Sequence, residues 1–104
     1  MASYNPALSV PASYNISIDS SGSAATLTCN PGDKITWTNN YTKSITAFTL
    51  PSCVSPQTSP APIAVGVTTQ TYTVNSGTNG SFSYSYTFAA QIDADTRSGT
   101  IDVS

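Results

Sequence analysis

Three observations predict an all-β fold, an antiparallel Greek-key β-sandwich of about eight strands. Apolar residues recur with period two, most cleanly where Phe82, Tyr84, Tyr86 and Phe88 alternate with Ser81, Ser83, Ser85 and Thr87. Ser and Thr together supply 33 of the 104 residues, and Thr with Tyr favours strands over helices. Short alternating runs are separated by turns rich in Gly, Pro and Asn, and no helix of normal length is expected.

Residues 1–12 hold Pro6 and Pro11 without a sustained period, so they read as an extended N-terminal arm or a short edge strand. Residues 13–104 read as one domain, because 104 residues are too few for two well-buried cores. From Tyr14, Ile16 and Ile18 alternate with Asn15 and Ser17, and Asp19 to Ser23 makes a turn. Ala25, Leu27 and Cys29 form the next alternating run. Asn30-Pro31-Gly32-Asp33 then reverses the chain, with Pro at the second position of a tight turn and Gly where φ is positive. Lys34 to Thr38 resumes the alternation with Ile35 and Trp37 inward, Asn39 to Thr42 is a loop, and Ser44 to Leu50 is a fourth strand. Pro51, Pro56, Pro60 and Pro62 keep the following stretch out of any central strand and send it over the surface. Ile63 to Val67 and Thr69 to Val74 are two further runs, and Asn75 to Gly80 is a turn. After the aromatic strand, a loop from Ala89 to Ser98 leads to a last strand at Thr100 to Val103.

Composition excludes several functions. Only 8% of residues are charged, and three Lys or Arg against five Asp give a net charge of −2. Nucleic acid is not expected as a partner, because phosphate affinity scales with the number of cations that displace counterions. No membrane span is expected, since no apolar run approaches the ~20 residues that cross a bilayer. The first residues carry neither a basic n-region nor an apolar h-region, so an exported form is expected to have lost its signal. His and Glu are both missing, which removes the side chains most used for proton transfer near neutral pH. Lys34 and Lys43 show no Ser-x-x-Lys spacing that would activate a serine. No catalytic residue and no cofactor is assigned.

Cys29 and Cys53 allow one intramolecular pairing, which would tether the start of the Pro-rich stretch to the sheet. Such a disulfide contributes roughly 3–4 kcal/mol in the chain-entropy model. The alternative is a pair of reduced buried thiols, because the compartment is inferred from composition alone. Neither cysteine has a Cys-x-x-Cys spacing that would mark an activated thiolate. Asp93-x-Asp95-x-Arg97-x-Gly99 has the look of a calcium loop, but a cation stands at the third ligand position and no acidic residue closes it. A polar turn with an Asp–Arg pair is the expectation there. Three sequons, at Asn15, Asn40 and Asn79, are about what chance gives, roughly two.

Trp37, Tyr72, Phe82, Tyr84 and Phe88 fall on alternating strands and are expected in the core. Tyr4, Tyr14 and Tyr41 are the candidates for exposed rings. Tyr41, flanked by Asn39, Asn40 and Lys43, is the candidate surface contact, since exposed aromatic rings anchor sugars and protein partners.

The run Pro31-Gly32-Asp33-Lys34-Ile35-Thr36-Trp37-Thr38-Asn39-Asn40 resembles the third strand of the cupredoxins, the plastocyanin- and azurin-like copper proteins. Thr69 to Val74, Gly80 to Tyr86 and the closing Ser98-Gly99-Thr100-Ile101-Asp102-Val103 are similar to later strands of that family, so the resemblance spans roughly residues 14–103. It implies a cupredoxin-like sandwich. The family's copper ligands fall on Ile45, Tyr86, Ala89 and the neighbourhood of Arg97, none of which is a type 1 ligand. The single methionine, Met1, lies on the arm. No metal is therefore expected, and Tyr86 with Ile45 would fill the pocket.

These readings converge on a non-catalytic, metal-free binding or structural module of an exported or cell-surface system, placed outside the cell, in a periplasm or on a cell surface. The Pro-rich stretch and residues 39–43 would form its interaction end, with a protein or glycan partner. The alternatives are a self-assembling subunit, a homo-oligomer whose arm adds to a neighbour's sheet edge, and a carbohydrate-binding module using Tyr41. A copper electron carrier is the least supported.

Overall fold

In the computed structural model, residues 11–90 and 92–104 are described. Eight strands form: β1 (Ser13–Ile18), β2 (Leu27–Cys29), β3 (Lys34–Asn39), β4 (Ile45–Thr49), β5 (Val54–Ser55), β6 (Tyr72–Val74), β7 (Gly80–Phe88) and β8 (Asp95–Val103). Sheet one has the order β1-β3-β6-β5 and sheet two the order β2-β8-β7-β4. No helix occurs among the described residues. The chain changes sheet at each step from β1 to β5, and again from β6 to β7. Between the sheets, Trp37 of β3 stands edge-on to Phe48 of β4 and to Tyr84 of β7, with ring centroids 5.1 and 5.3 Å apart. The architecture is therefore all-β and sandwich-like.

Both sheets are mixed, which corrects the expectation of a purely antiparallel sandwich. β1 pairs with β3 in parallel, Ser13 opposite Lys34 through Ile18 opposite Asn39. β2 pairs with β8 in parallel as well. The cause is the repeated change of sheet: a chain that leaves sheet one in β1, runs back in β2 and returns in β3 arrives pointing the same way. Period two tells which face a side chain takes but not the direction of the neighbouring strand.

Element boundaries also differ from the sequence reading: β6 keeps only Tyr72–Val74 of the run 69–74, and β3 extends to Asn39. The run 63–67 is no strand; Ile63 makes a single bridge to Ile45. The Pro-rich stretch supplies β5 instead, paired with β6 through Val54 and Val74, and Pro51, Cys53 and Val54 are buried rather than on the surface. Its prolines are respected, because β5 is two residues long and lies at a sheet edge. The last strand starts at Asp95, inside the expected loop, because nine residues of β8 pair in unbroken register with β7.

The alternating residues make the core. Ile16, Ile18, Ile35, Trp37, Ile45, Phe48, Tyr72, Tyr84, Tyr86, Phe88, Ile101 and Val103 are buried, and Phe82 is half-buried against them. Each large apolar side chain contributes roughly 1.5–3 kcal/mol when fully withdrawn from water. Trp37 Nε1 and Tyr84 Oη are buried without hydrogen-bond partners among the described residues. Burial pushes the Tyr84 hydroxyl pKa up, and the neighbouring Trp37 tempers that rise.

The outward faces carry small hydroxyls. On sheet two, Ser83 stands opposite Thr100, Ser85 opposite Ser98 and Thr87 opposite Thr96, the last pair 2.9 Å apart. On sheet one, Asn15 Nδ2 donates to the hydroxyls of Thr36 and Thr38 at 3.0 and 2.8 Å. Such short polar pairs satisfy a solvated face without ionic groups.

Candidate functional site

Four segments, residues 19–24, 40–44, 63–68 and the described residues 89–90 and 92–94, meet at one end of the sheets. The backbone joins them: Asn40 N donates to Ile18 O, Asn39 N to Val67 O, Gly66 N to Asn39 O and Ala89 N to Ser44 O, all within 3.0 Å.

Asn39 holds this junction from inside. Its side chain is fully buried, its Nδ2 donates to Lys43 O at 2.9 Å and Ile63 O at 3.1 Å, and its Oδ1 accepts from Tyr41 N at 3.0 Å. Every polar atom of the amide is used, so Asn39 is a structural tie and not a surface contact. A turn-forming Asn at the end of an inward-alternating strand was the available signal, since its parity matches Ile35 and Trp37.

Tyr41 is half-buried rather than exposed. Its ring lies on Phe88 with centroids 4.4 Å apart, and the Arg97 guanidinium sits 5.6 Å from its centroid and 5.5 Å from that of Phe88. Arg97 also pairs with Asp95 through Nε and Nη2, at 2.8 and 3.1 Å, and donates from Nη1 to Ser21 O at 2.7 Å. Sequence reasoning placed Asp95 and Arg97 together but missed that the cation ties β8 to loop 19–24. Arg97 holds the Asp95 carboxyl below its ordinary range, chiefly by hydrogen bonding. Gly22 lies under the guanidinium with φ of 82°, where a side chain would meet Arg97 and Phe88. The ring of Tyr41 is thus part of a packed cluster, with Phe88 and the cation against it.

Asn40 and Lys43 are exposed, and Asn40 Nδ2 donates to Ser17 Oγ at 2.8 Å. Lys43, Ala89, Ala90, Ile92 and Asp93 line an open cavity of about 610 Å³. Val65, Val67 and Ile92 are exposed apolar residues. The Pro-rich stretch reaches this end only from about Ala61 onward; its earlier half lies toward the other end, where Tyr72 Oη donates to Thr58 O at 2.8 Å and β5 pairs with β6. Tyr14 is half-buried against the core, and Tyr4 lies outside the described residues.

The four positions onto which the cupredoxin resemblance maps a copper site fall on β4, β7, β8 and the residue after β7. Ile45 is opposite Phe88, Tyr86 is opposite Arg97, and Ala89 is bonded to Ser44. Their chemistry does not fit the metal. Ile45 and Ala89 offer no donor atom, the Tyr86 hydroxyl donates to Gly22 O at 2.9 Å, and Arg97 brings positive charge. Burial raises the Tyr86 pKa to about 12, with Tyr84 adding to the rise and Arg97 opposing it. Among the described residues no group of three or more Cys, Asp, His or Glu is arranged to hold a metal ion.

The opposite end is organised by Asp33, a buried carboxylate. Its oxygens accept from Ala12 N at 3.0 Å and Asn30 N at 2.9 Å. Ala12, the last residue of the expected arm, is therefore fixed, and its carbonyl accepts from Lys34 N at 2.8 Å; residues 1–10 lie outside the described residues. Cys29 and Cys53 are here too, both buried and both free thiols.

No protein family, curated protein or solved structure matches the chain.

Proposed function

We propose that this chain is a non-catalytic, metal-free β-sandwich of cupredoxin-like Greek-key type, serving as a binding or structural module of an exported or cell-surface system. The observation that carries the reading is the filled end of the sandwich. Where the resembled family places ligands, this chain has Ile45 and Tyr86 buried and Arg97 locked between Tyr41, Asp95 and Ser21. The repeated exchange of the chain between sheets supports the Greek-key assignment. The absence of His and Glu from the sequence supports a role without proton transfer. Low charge and hydroxyl-rich faces suit a domain working outside the cell. Titration with copper, followed by visible absorbance, tests the metal-free assignment: no stoichiometric blue band is expected, and its appearance overturns the reading.

A second reading, a self-assembling subunit, is favoured by the edge of β1. The other edges are blunted: β2 has three residues and β5 two, and β4 carries a bulge between Ile45 and Ala47. β1 has six residues with neither proline nor charge. Ala12 O and Ile18 O accept from Lys34 N and Asn40 N, so in a parallel ladder the even residues bond β3 and Ser13 and Asn15 turn their backbone groups outward. Among the described residues only the Ile18 end is shielded, by a bridge to Ala24. Such an edge accepts a further strand, here the N-terminal arm of a neighbouring copy. Light scattering on the intact chain and on one lacking residues 1–10 decides: assemblies that fall to monomers on truncation support this reading, and monomers in both sink it.

A further inference from the structure

We propose that Cys29 and Cys53 form an intramolecular disulfide that staples sheet one to sheet two at the Asp33 end of the sandwich. The inference stands apart from the binding or structural role, because it rests on where the fold puts the two residues and on their burial.

Cys29 is the last residue of β2, an edge strand of sheet two, and Cys53 immediately precedes β5, an edge strand of sheet one. Both side chains turn into the interior, at 2% and 0% exposure. The turn that follows Cys29 carries the chain onto the strands beside Cys53. Gly32 N donates to Val74 O and Val74 N to Asp33 O, and Val74 is the register partner of Val54. Asn75 N closes the same corner by donating to Cys53 O, while Ser104 N donates to Cys29 O. Cys53 also contributes to raising the Cys29 pKa to about 11, behind the larger effects of burial and Asp33. No other cysteine exists in the sequence to compete for either partner.

These thiols are unsuited to the remaining roles of cysteine. Burial raises both pKa values, so neither is a nucleophile near neutral pH, and no group of metal ligands surrounds them among the described residues. A crosslink is what their position serves. Elsewhere the two sheets are joined by loops and by side-chain packing, and a covalent tie between an edge of each resists their parting.

The chemistry is thiol–disulfide exchange with a small-molecule disulfide during folding, before burial closes access. One thiolate attacks a sulfur of the oxidant and expels one thiol; the second cysteine attacks the mixed disulfide and expels the other. The protein loses two hydrogens as two protons and two electrons, and the oxidant is reduced to two thiols.

The test is oxidative refolding of the reduced chain with oxidised glutathione, followed by unfolding in iodoacetamide and mass measurement. The expected product is a monomer carrying no label, which takes two labels when reduced beforehand. Its melting temperature is expected to exceed that of the reduced chain by roughly 10–20 °C, and the Cys29→Ser, Cys53→Ser double variant should lose the sensitivity to reductant. Two labels on the refolded monomer, a covalent dimer on a non-reducing gel, or equal melting temperatures with and without reductant would each overturn the proposal. The comparison of oxidised with reduced wild-type chain needs no variant, so it remains decisive if the double variant does not fold.

Discussion

Tyr84 of β7 lies directly across from Gly99 of β8, its ring and hydroxyl occupying the space that a side chain at Gly99 would need. Tyr84 in turn stands edge-on to Trp37 and stacks with Phe48, at 5.3 and 5.8 Å between centroids. A ring held on three sides cannot step aside. Gly99→Ala is therefore expected to destabilise the fold by roughly 1–3 kcal/mol through overpacking. Chemical denaturation followed by Trp37 fluorescence measures this directly, and an unchanged midpoint would show that the ring can shift.

Tyr86 makes the protein sensitive to alkali. Burial raises its pKa from 10 to about 12, so the unfolded chain gives up this proton at lower pH than the folded one. Its contribution to stability is fully present below pH 10 and is lost as pH rises from 10 through 12, by about 2 kcal/mol. Tyr86→Phe should flatten that decline while lowering stability at neutral pH by about 1–2 kcal/mol, because the Gly22 carbonyl loses its donor. Tyr84 and Cys29 are raised by the same burial, so part of the slope should persist. Melting temperatures from pH 7 to 11 for both proteins provide the check.

Asp33 is expected to govern the order of the segment entering β1. Asp33→Ala removes the acceptor for the Ala12 and Asn30 amides and should cost about 2–3 kcal/mol. Amide hydrogen exchange separates this from general loosening: Ala12 and Asn30 should lose protection well before Trp37 or Tyr84 does.

Arg97→Lys keeps the charge yet should destabilise the fold by about 1 kcal/mol. A lysine cannot bond Asp95 through two nitrogens, reach Ser21 O and lie against Tyr41 and Phe88 together. Unfolding in urea reads the difference. Stability equal to wild type would mean that charge alone, and not the planar fork, serves this corner.

The core was legible in the sequence because burial leaves a period-two trace. Tyr84, Tyr86 and Phe88 face inward as their alternation requires, and the turn ending at Asp33 carries Gly32 at φ of 92°. The opening of β8 left no such trace: Asp95, Thr96, Arg97 and Ser98 are polar throughout and become strand only because β7 lies beside them. β5 was hidden by the prolines around it. Strand direction was hidden for a different reason, since parallel and antiparallel partners impose the same alternation on a strand. At the candidate end, Asn39 is buried and Tyr41 half-buried where exposure was expected. Their polarity and aromaticity suggested exposure, and the structure uses the same properties to close a junction from within.

The parallel pairing of β2 with β8 places Leu27 beside Ile101 and Cys29 beside Val103. An early segment therefore waits for almost the whole chain before its neighbour exists. Synthesis from the N-terminus delivers β1 to β7 without the strand that joins β2 to the rest of sheet two. Folding of this sheet is thus a late event governed by contacts distant in sequence, slow relative to helical domains of the same size. Until β8 is made, Leu27, Thr28 and Cys29 have no neighbour in sheet two, so completion of that sheet falls to the nine residues of β8.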